Sequence, residues 1–319
     1  MAAPLESPTL AAVHCGCGAQ VCRRFERVAL AARIARQATR LVGPRAVSFV
    51  TRTLYNMGDG GRRFSKRLEN RAQHVGVVNA RYNGLRVALD LRDRVQREVF
   101  YFGDYEAALG VLLLSELKPG DVFVDVGAHI GVHALRAAER VGEGGRVFAF
   151  EPAFDTAAVL EEAAARNGMQ ARLTVVRTAL GDVCGRAILH APPDSETGDV
   201  SIRSLHATGL AVGEVPVVRF DDWADANRLQ RLDVVKIDVE GHEVGVLRGM
   251  RQSILYFKPR LLVLEVVSGH LARAGESPST LEALLAGLGY AADGPTIRDI
   301  AEGPTDALWP NAVMRPRAA

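Results

Sequence analysis

Carboxylates stand at three places in this 319-residue chain where their neighbours suggest chemistry rather than solvation. Asp125 lies in Asp121-Val-Phe-Val-Asp-Val-Gly-Ala-His-Ile-Gly131, where an apolar run from Val122 to Val126 breaks at Gly127 and re-enters a helix near Ile130. A strand, a glycine turn and a helix start leave backbone N–H groups and the positive end of a helix facing a cleft. Glu151 follows 26 residues after Asp125, at the end of a second apolar run, Arg146–Phe150. A carboxylate there can accept both hydrogen bonds of a ribose diol. The third place is Asp238-Val-Glu-Gly-His-Glu243, directly after Val234–Ile237. A charge at Asp238 has little packing role, and His242 titrates in the range suited to a general base. Glu243 reads as an acid on a solvated helix start, where it meets the helix dipole favourably.

The glycine turn, Gly127-Ala128-His129-Ile130-Gly131, is neither the Gly-x-Gly-x-x-Gly fingerprint nor a Walker loop ending in Gly-Lys-Ser/Thr. No phosphate-binding cation stands near it in the sequence, whereas Asp125 and Glu151 do. Such a pair repels a diphosphate and suits a cationic ligand that carries a ribose. S-adenosylmethionine, with an adenosine, an ammonium and a sulfonium, fits that description.

Elements that position these residues follow from periodicity. Alternation at His74–Val78 and Leu85–Leu91, around Tyr82-Asn83-Gly84, predicts a hairpin. Helices are expected at Asp93–Phe100 and Tyr105–Leu117, the second carrying Tyr105 and Glu106. Beyond the opening strand come a helix at Ile130–Val141, the strand Arg146–Phe150, a helix at Phe154–Arg166 and a strand at Leu173–Arg177. Short strands within 186–220 flank a polar loop, Pro192–Asp199, before a helix at Asp221–Asn227. Then come the strand Val234–Ile237, a helix His242–Met250, a strand Arg260–Val266, a helix Pro278–Leu288 and a strand near Ala307–Met314. Strand and helix alternate at short intervals, which predicts an α/β fold with a mostly parallel sheet and right-handed crossovers.

The net charge of +2 conceals an asymmetry: residues 1–83 hold 14 Lys+Arg against 4 Asp+Glu, and the remainder 25 against 33. A basic extension, partly disordered or helical, is thus expected over residues 1–70, ahead of an acidic domain over 71–319 whose core begins near residue 118. Apolar residues at Phe25, Val28, Ile34 and Leu41 between arginines predict one amphipathic helix in the extension. Arginine outnumbers lysine 35 to 4, which with the many alanines reads as coding bias, so no nucleic-acid partner is expected. Cys15, Cys17 and Cys22 lack the second half of a zinc site and read as a reduced tail. Cys184 reads as a buried small hydrophobe, and His190 and His206 as loop residues. No run approaches the roughly 20 apolar residues of a membrane span, and no secretory signal is evident, so a cytoplasmic protein is expected.

Four short motifs occur in register: Asp125-Val-Gly-Ala-His-Ile-Gly131, Ala149-Phe-Glu-Pro152, Ala179-Leu-Gly-Asp182 and Lys236-Ile-Asp-Val-Glu-Gly-His-Glu243. Together they resemble the FkbM-type methyltransferases, a class I family dependent on S-adenosylmethionine, over roughly Leu85 to Gly269. The resemblance implies a Rossmann-like class I methyltransferase fold with a seven-stranded sheet, following the N-terminal extension. It implies that Asp125, Gly127, Ala128, His129 and Gly131 hold the methionine portion, with Glu106 close by. Glu151 would bind the ribose, Asp182 would sit near the adenine, and Asp238 would face the sulfonium and the methyl acceptor. His129 departs from the asparagine usual in the family and adds a second candidate base beside His242. The implied acceptor is a hydroxyl on a sugar, polyketide or other small metabolite, and an acidic carrier protein is a further partner compatible with the basic extension. No metal is assigned, because the spacing of the acids does not establish that they converge. Two other readings stay open: a nicotinamide-dependent oxidoreductase, and a non-catalytic module that binds through residues 1–70.

Overall fold

The computed structural model describes residues 76–191, 210–306, 308 and 310–317, which belong to one compact unit, His74–Ala319. The expected basic helix, the three N-terminal cysteines, the loop 192–199 and His206 lie outside the described residues.

The chain enters through a hairpin, β1 (Val77–Tyr82) and β2 (Leu85–Asp90), turned at Asn83-Gly84, both with positive φ. Its first strand lies three to four residues later than the sequence predicts, because β1 is solvent-exposed on alternate positions and its apolar periodicity is weak. The hairpin is fastened to the main body by Asn167, whose side chain accepts from Arg86 N and donates to Arg86 O, each at 2.9 Å. Next come α1 (Arg94–Phe102), capped by the Asp93 carboxylate on Gln96 N, and α2 (Ala107–Glu116).

The core alternates strand and helix as expected. Strand β3 (Val122–Val126) leads to α3 (Val132–Val141), β4 (Arg146–Phe150) to α4 (Phe154–Arg166), then β5 (Leu173–Val176). A three-stranded sheet follows, with β8 (Leu210–Val218) between β6 (Ala179–Leu180) and β7 (Gly185–Ala191). After α5 (Phe220–Ala226), β9 (Val234–Ile237) is followed by α6 (Glu243–Gly249) and α7 (Arg251–Phe257), and β10 (Leu261–Glu265) by α8 (Ser268–Arg273) and α9 (Pro278–Gly287). The described chain ends with β11 (Tyr290–Ala292), α10 (Ile297–Glu302) and β12 (Asn311–Pro316).

Seven strands form the main sheet in the order β11-β12-β10-β9-β3-β4-β5. All its pairings are parallel except those of β12, which runs antiparallel to both neighbours. This is the mostly parallel seven-stranded sheet flanked by helices that the motifs imply. Every residue of β3 and β9 is buried, as strands covered on both faces require. At the sheet's N-terminal end the buried Asp121 carboxylate binds Arg231 at 2.8 Å, Arg260, and the Lys118 N–H at 2.7 Å. That cluster ties the entry of β3 to the entries of β9 and β10. At the other end, Phe150 packs edge-on against Trp223 (centroids 5.0 Å) and Phe220 (5.9 Å), fixing the strand end that precedes Glu151. Each such ring pair contributes about 0.5–1.5 kcal/mol beyond its buried area.

Candidate functional site

The carboxyl ends of β3, β4 and β9 open onto one cleft, walled by the start of α1, the α1–α2 connection and the segment after β5. Its floor is apolar, with Val126, Phe150 and Leu180, and its rim carries the charges. Of the residues singled out from the sequence, Glu106, Gly127, Ala128, His129, Glu151, Asp238 and His242 line it.

The glycine turn is held by two constraints. Gly127 has φ +77°, and a Cβ there would lie 1.7 Å from the backbone oxygen of Asp238, so only glycine lets the two motifs touch. Glu151 supplies the second: its Oε2 accepts from His129 N at 2.9 Å and its Oε1 from Ala153 N at 2.8 Å. The carboxylate thereby fixes the turn. His129 itself stands at φ +51° with Nε2 3.5 Å from the buried Asp93 carboxylate. Asp93 therefore caps α1 and braces the His129 ring.

Asp125, Gly131 and Asp182 lie elsewhere. Asp125 is buried beneath the cleft, 3.4 Å from Lys236 Nζ on the adjoining strand, and neither of its oxygens makes a hydrogen bond among the described residues. Gly131 begins α3 at φ +81°, where a Cβ would strike Leu160, so its demand for glycine comes from helix packing. Asp182 is exposed beyond β6, and the wall at that end is built by Thr178, Ala179 and Leu180. Cys184, expected to be buried, is exposed, with Sγ 3.4 Å from Asp222 Oδ2 on the turn into β7. His190 lies in β7 rather than in a loop.

Lys236 corrects the reading that no cation stands near the turn. It is buried, lines the cleft, and lies 3.1 Å from Asp238 Oδ2 as well as beside Asp125. Burial alone would lower its ammonium pKa, but Asp238, Asp125 and Glu106 overcome this and hold it above the ordinary lysine range. Its charge is spent within the protein, so the cleft stays hostile to a diphosphate. The signal was present: a lysine inside a four-residue buried strand must be paired with acids. Burial pushes the Asp238 carboxyl up and Lys236 pulls it back, leaving it raised overall. Such a group suits proton exchange.

Three further residues that escaped notice complete the α1–α2 wall. His133 Nε2 meets Glu106 Oε2 at 3.1 Å, and Asn311 Nδ2 donates to Glu106 Oε1 at 3.3 Å. Burial raises the Glu106 pKa, but the His133 contact outweighs it, so the carboxylate is held below its usual value. Glu106 is not in a helix, as predicted, but at its N-cap with φ +49°. Arg94 adds a guanidinium at the cleft edge. His133 lies two residues beyond the glycine turn, whereas Arg94 and Asn311 sit tens of residues from any motif, and only the fold brings the three together.

His242 is positioned by glycines. A Cβ on Gly181 would lie 3.0 Å from its Nε2 and one on Gly245 2.7 Å, so the ring sits in a slot between the turn after β6 and α6. Glu243 is buried rather than solvated, and its Oε1 accepts from Gly241 N at 3.0 Å and Val239 N at 3.3 Å. It moulds the turn that carries Glu240 and His242 and does not enter the cleft.

Comparison with known proteins identifies the family. A hexuronic acid methyltransferase, AglP of Haloferax volcanii, is 32% identical over 145 residues, covering 45% of this chain and 55% of its own. The 31-O-demethyl-FK506 methyltransferase FkbM of Streptomyces tacrolimicus is 32% identical over 166 residues, covering 43% and 62%. The chain thus spans less than two thirds of the length of these relatives. A crystal structure of an FkbM methyltransferase from Methylobacillus flagellatus aligns over 69% of this chain and 65% of its own, at 17% identity and a TM-score of 0.40. Residues 125–292, more than half of the chain, match the model of the FkbM methyltransferase domain, and the chain belongs to that family.

Proposed function

We propose that the protein is an S-adenosylmethionine-dependent O-methyltransferase acting on a hydroxyl of a sugar, polyketide or similar small metabolite. The observation that carries the reading is the charge pattern of the cleft. Glu151, Glu106, Asp238 and Glu240 line the same space, with Arg94 at its edge, and the buried ammonium of Lys236 is taken up by Asp125 and Asp238. An anionic rim over an apolar floor fits a cationic nucleoside and repels a diphosphate cofactor. The names of the relatives support the acceptor class: AglP is a hexuronic acid methyltransferase, FkbM a 31-O-demethyl-FK506 methyltransferase, and NoeI of Sinorhizobium fredii, 27% identical over 151 residues, a 2-O-methyltransferase.

S-adenosylmethionine supplies an electrophilic methyl group. The chain's own residues do the rest. The turn at Gly127–His129 offers backbone groups, Glu151 takes the ribose hydroxyls, and Thr178 with Leu180 borders the base. Asp238, its side chain partly open to the cleft, receives the acceptor's proton, with Lys236 stabilising the carboxylate between turnovers. His242 and His129 are the alternative proton carriers on the two sides of the cleft. The catalytic domain is assigned to residues 71–319 and the basic extension to 1–70.

Titration calorimetry tests this. One equivalent of S-adenosylmethionine should bind, NAD should give no heat, and Glu151→Gln should weaken binding about tenfold, as loss of a charge-assisted hydrogen bond predicts. Absence of S-adenosylmethionine binding by the folded wild-type protein would refute the proposal.

A further inference from the structure

Beside the cleft, at the carboxyl ends of β9 and β10, three side chains from three elements converge: Glu240 from the β9–α6 turn, Glu265 from the end of β10, and His270 from α8. Nothing in the sequence joins them, since 25 residues separate the two glutamates. Their ligand atoms all lie within 4.8 Å of one another, with His270 Nδ1 at 2.8 Å from Glu240 Oε2 and 3.6 Å from Glu265 Oε2. Ligands of one cation at about 2.0–2.2 Å are themselves roughly 3–4 Å apart, so the three atoms already have the spacing of a coordination triangle.

Glu265 Oε2 and His270 Nδ1 are buried atoms, and the side-chain ion pairs they make among the described residues lie within the triad, His270 Nδ1 facing both glutamates. Among the described residues no partner outside the triad competes for these atoms, so the three groups are left to one another or to an ion. The position is rigid: a Cβ on Gly241 would lie 2.4 Å from the backbone oxygen of His270, so the turn bearing Glu240 is seated directly on α8.

We infer that Glu240, Glu265 and His270 form a binding site for a first-row divalent cation. One imidazole nitrogen with two carboxylates favours Mn2+ or Zn2+ over Mg2+ or Ca2+, which prefer oxygen alone. Three protein ligands leave open positions, and Glu240 lines the cleft, so those positions face the acceptor side. A cation there binds and acidifies an acceptor hydroxyl. That use rests on the methyl-transfer reading; the site itself does not.

The test therefore uses the full chain with neither cofactor nor acceptor. Mn2+ is titrated and the free-ion electron paramagnetic resonance signal followed. One equivalent should bind, and Glu265→Gln and His270→Asn should each weaken binding at least tenfold, with unfolding midpoints recorded alongside. The spin-echo spectrum of Mn2+ on the unaltered chain should show coupling to one imidazole nitrogen, a readout that holds even if a variant misfolds. No saturable binding of Mn2+ or Zn2+ at millimolar concentration, binding without the nitrogen coupling, or binding untouched in folded variants would each overturn the inference.

Discussion

Lys236 and its carboxylates are where the site's electrostatics are decided. Replacing Lys236 by Met leaves Asp125 buried without a cation, and breaking a buried pair in this way costs about 3–5 kcal/mol. Urea unfolding should show that loss, and adding Asp125→Asn should recover part of it. Glu243 makes a different prediction. Burial raises its pKa from the usual 4.5 to about 7, against the pull of the Gly241 and Val239 N–H groups. A folded-state value above the unfolded one means that its contribution is complete below about pH 4.5 and is lost as pH rises through 7. Glu243→Gln keeps the acceptor oxygen without the charge. It should match the wild type near pH 4 and exceed its stability by roughly 3 kcal/mol above pH 7, read from unfolding curves at both pH values. At this scale the sequence was partly legible. Glu151, Asp238 and His242 announced themselves at strand ends. Asp125 and Asp182 carry equally suggestive motifs, yet one faces Lys236 under the cleft and the other faces solvent. Only three-dimensional side-chain direction separates these cases.

Among the elements, buried apolar strands and long helices were readable, and helices of one or two turns were not. The limits of β4, α4 and β9 match the sequence reading residue for residue. The elements α7, α8, β11 and α10, three to seven residues each, were missed, since so few positions do not establish a period. The entries of β3, β9 and β10 depend on the Asp121 cluster, which no motif revealed. Asp121→Ala would remove one of the two carboxylates that Arg231 and Arg260 share, leaving Asp233. A loss of about 1–3 kcal/mol is expected, visible as a lower urea midpoint. The contact of Gly127 with Asp238 joins two elements at their functional ends. Gly127→Ala should abolish cofactor binding in calorimetry even in protein that retains its helical circular dichroism, because the turn must move before a methyl group can fit.

At the level of the whole molecule, the division proposed at residue 70 predicts that a chain beginning at residue 71 unfolds at the same temperature and binds the cofactor as before. A loss of either on calorimetry would place the basic extension inside the catalytic unit. Among the described residues no helix is long and apolar enough to cross a membrane. The antiparallel β12 has a consequence for synthesis on the ribosome. Strand β10, Leu261–Glu265, is flanked on one side by β9, already made, and on the other by β12, which arrives only with residues 311–316. At about 5–20 residues per second the nascent chain carries an open, largely apolar edge for several seconds. Open edges of that kind recruit other chains. A premature stop just before β12 would therefore yield an aggregating product that chaperones must hold, not a slightly weakened enzyme.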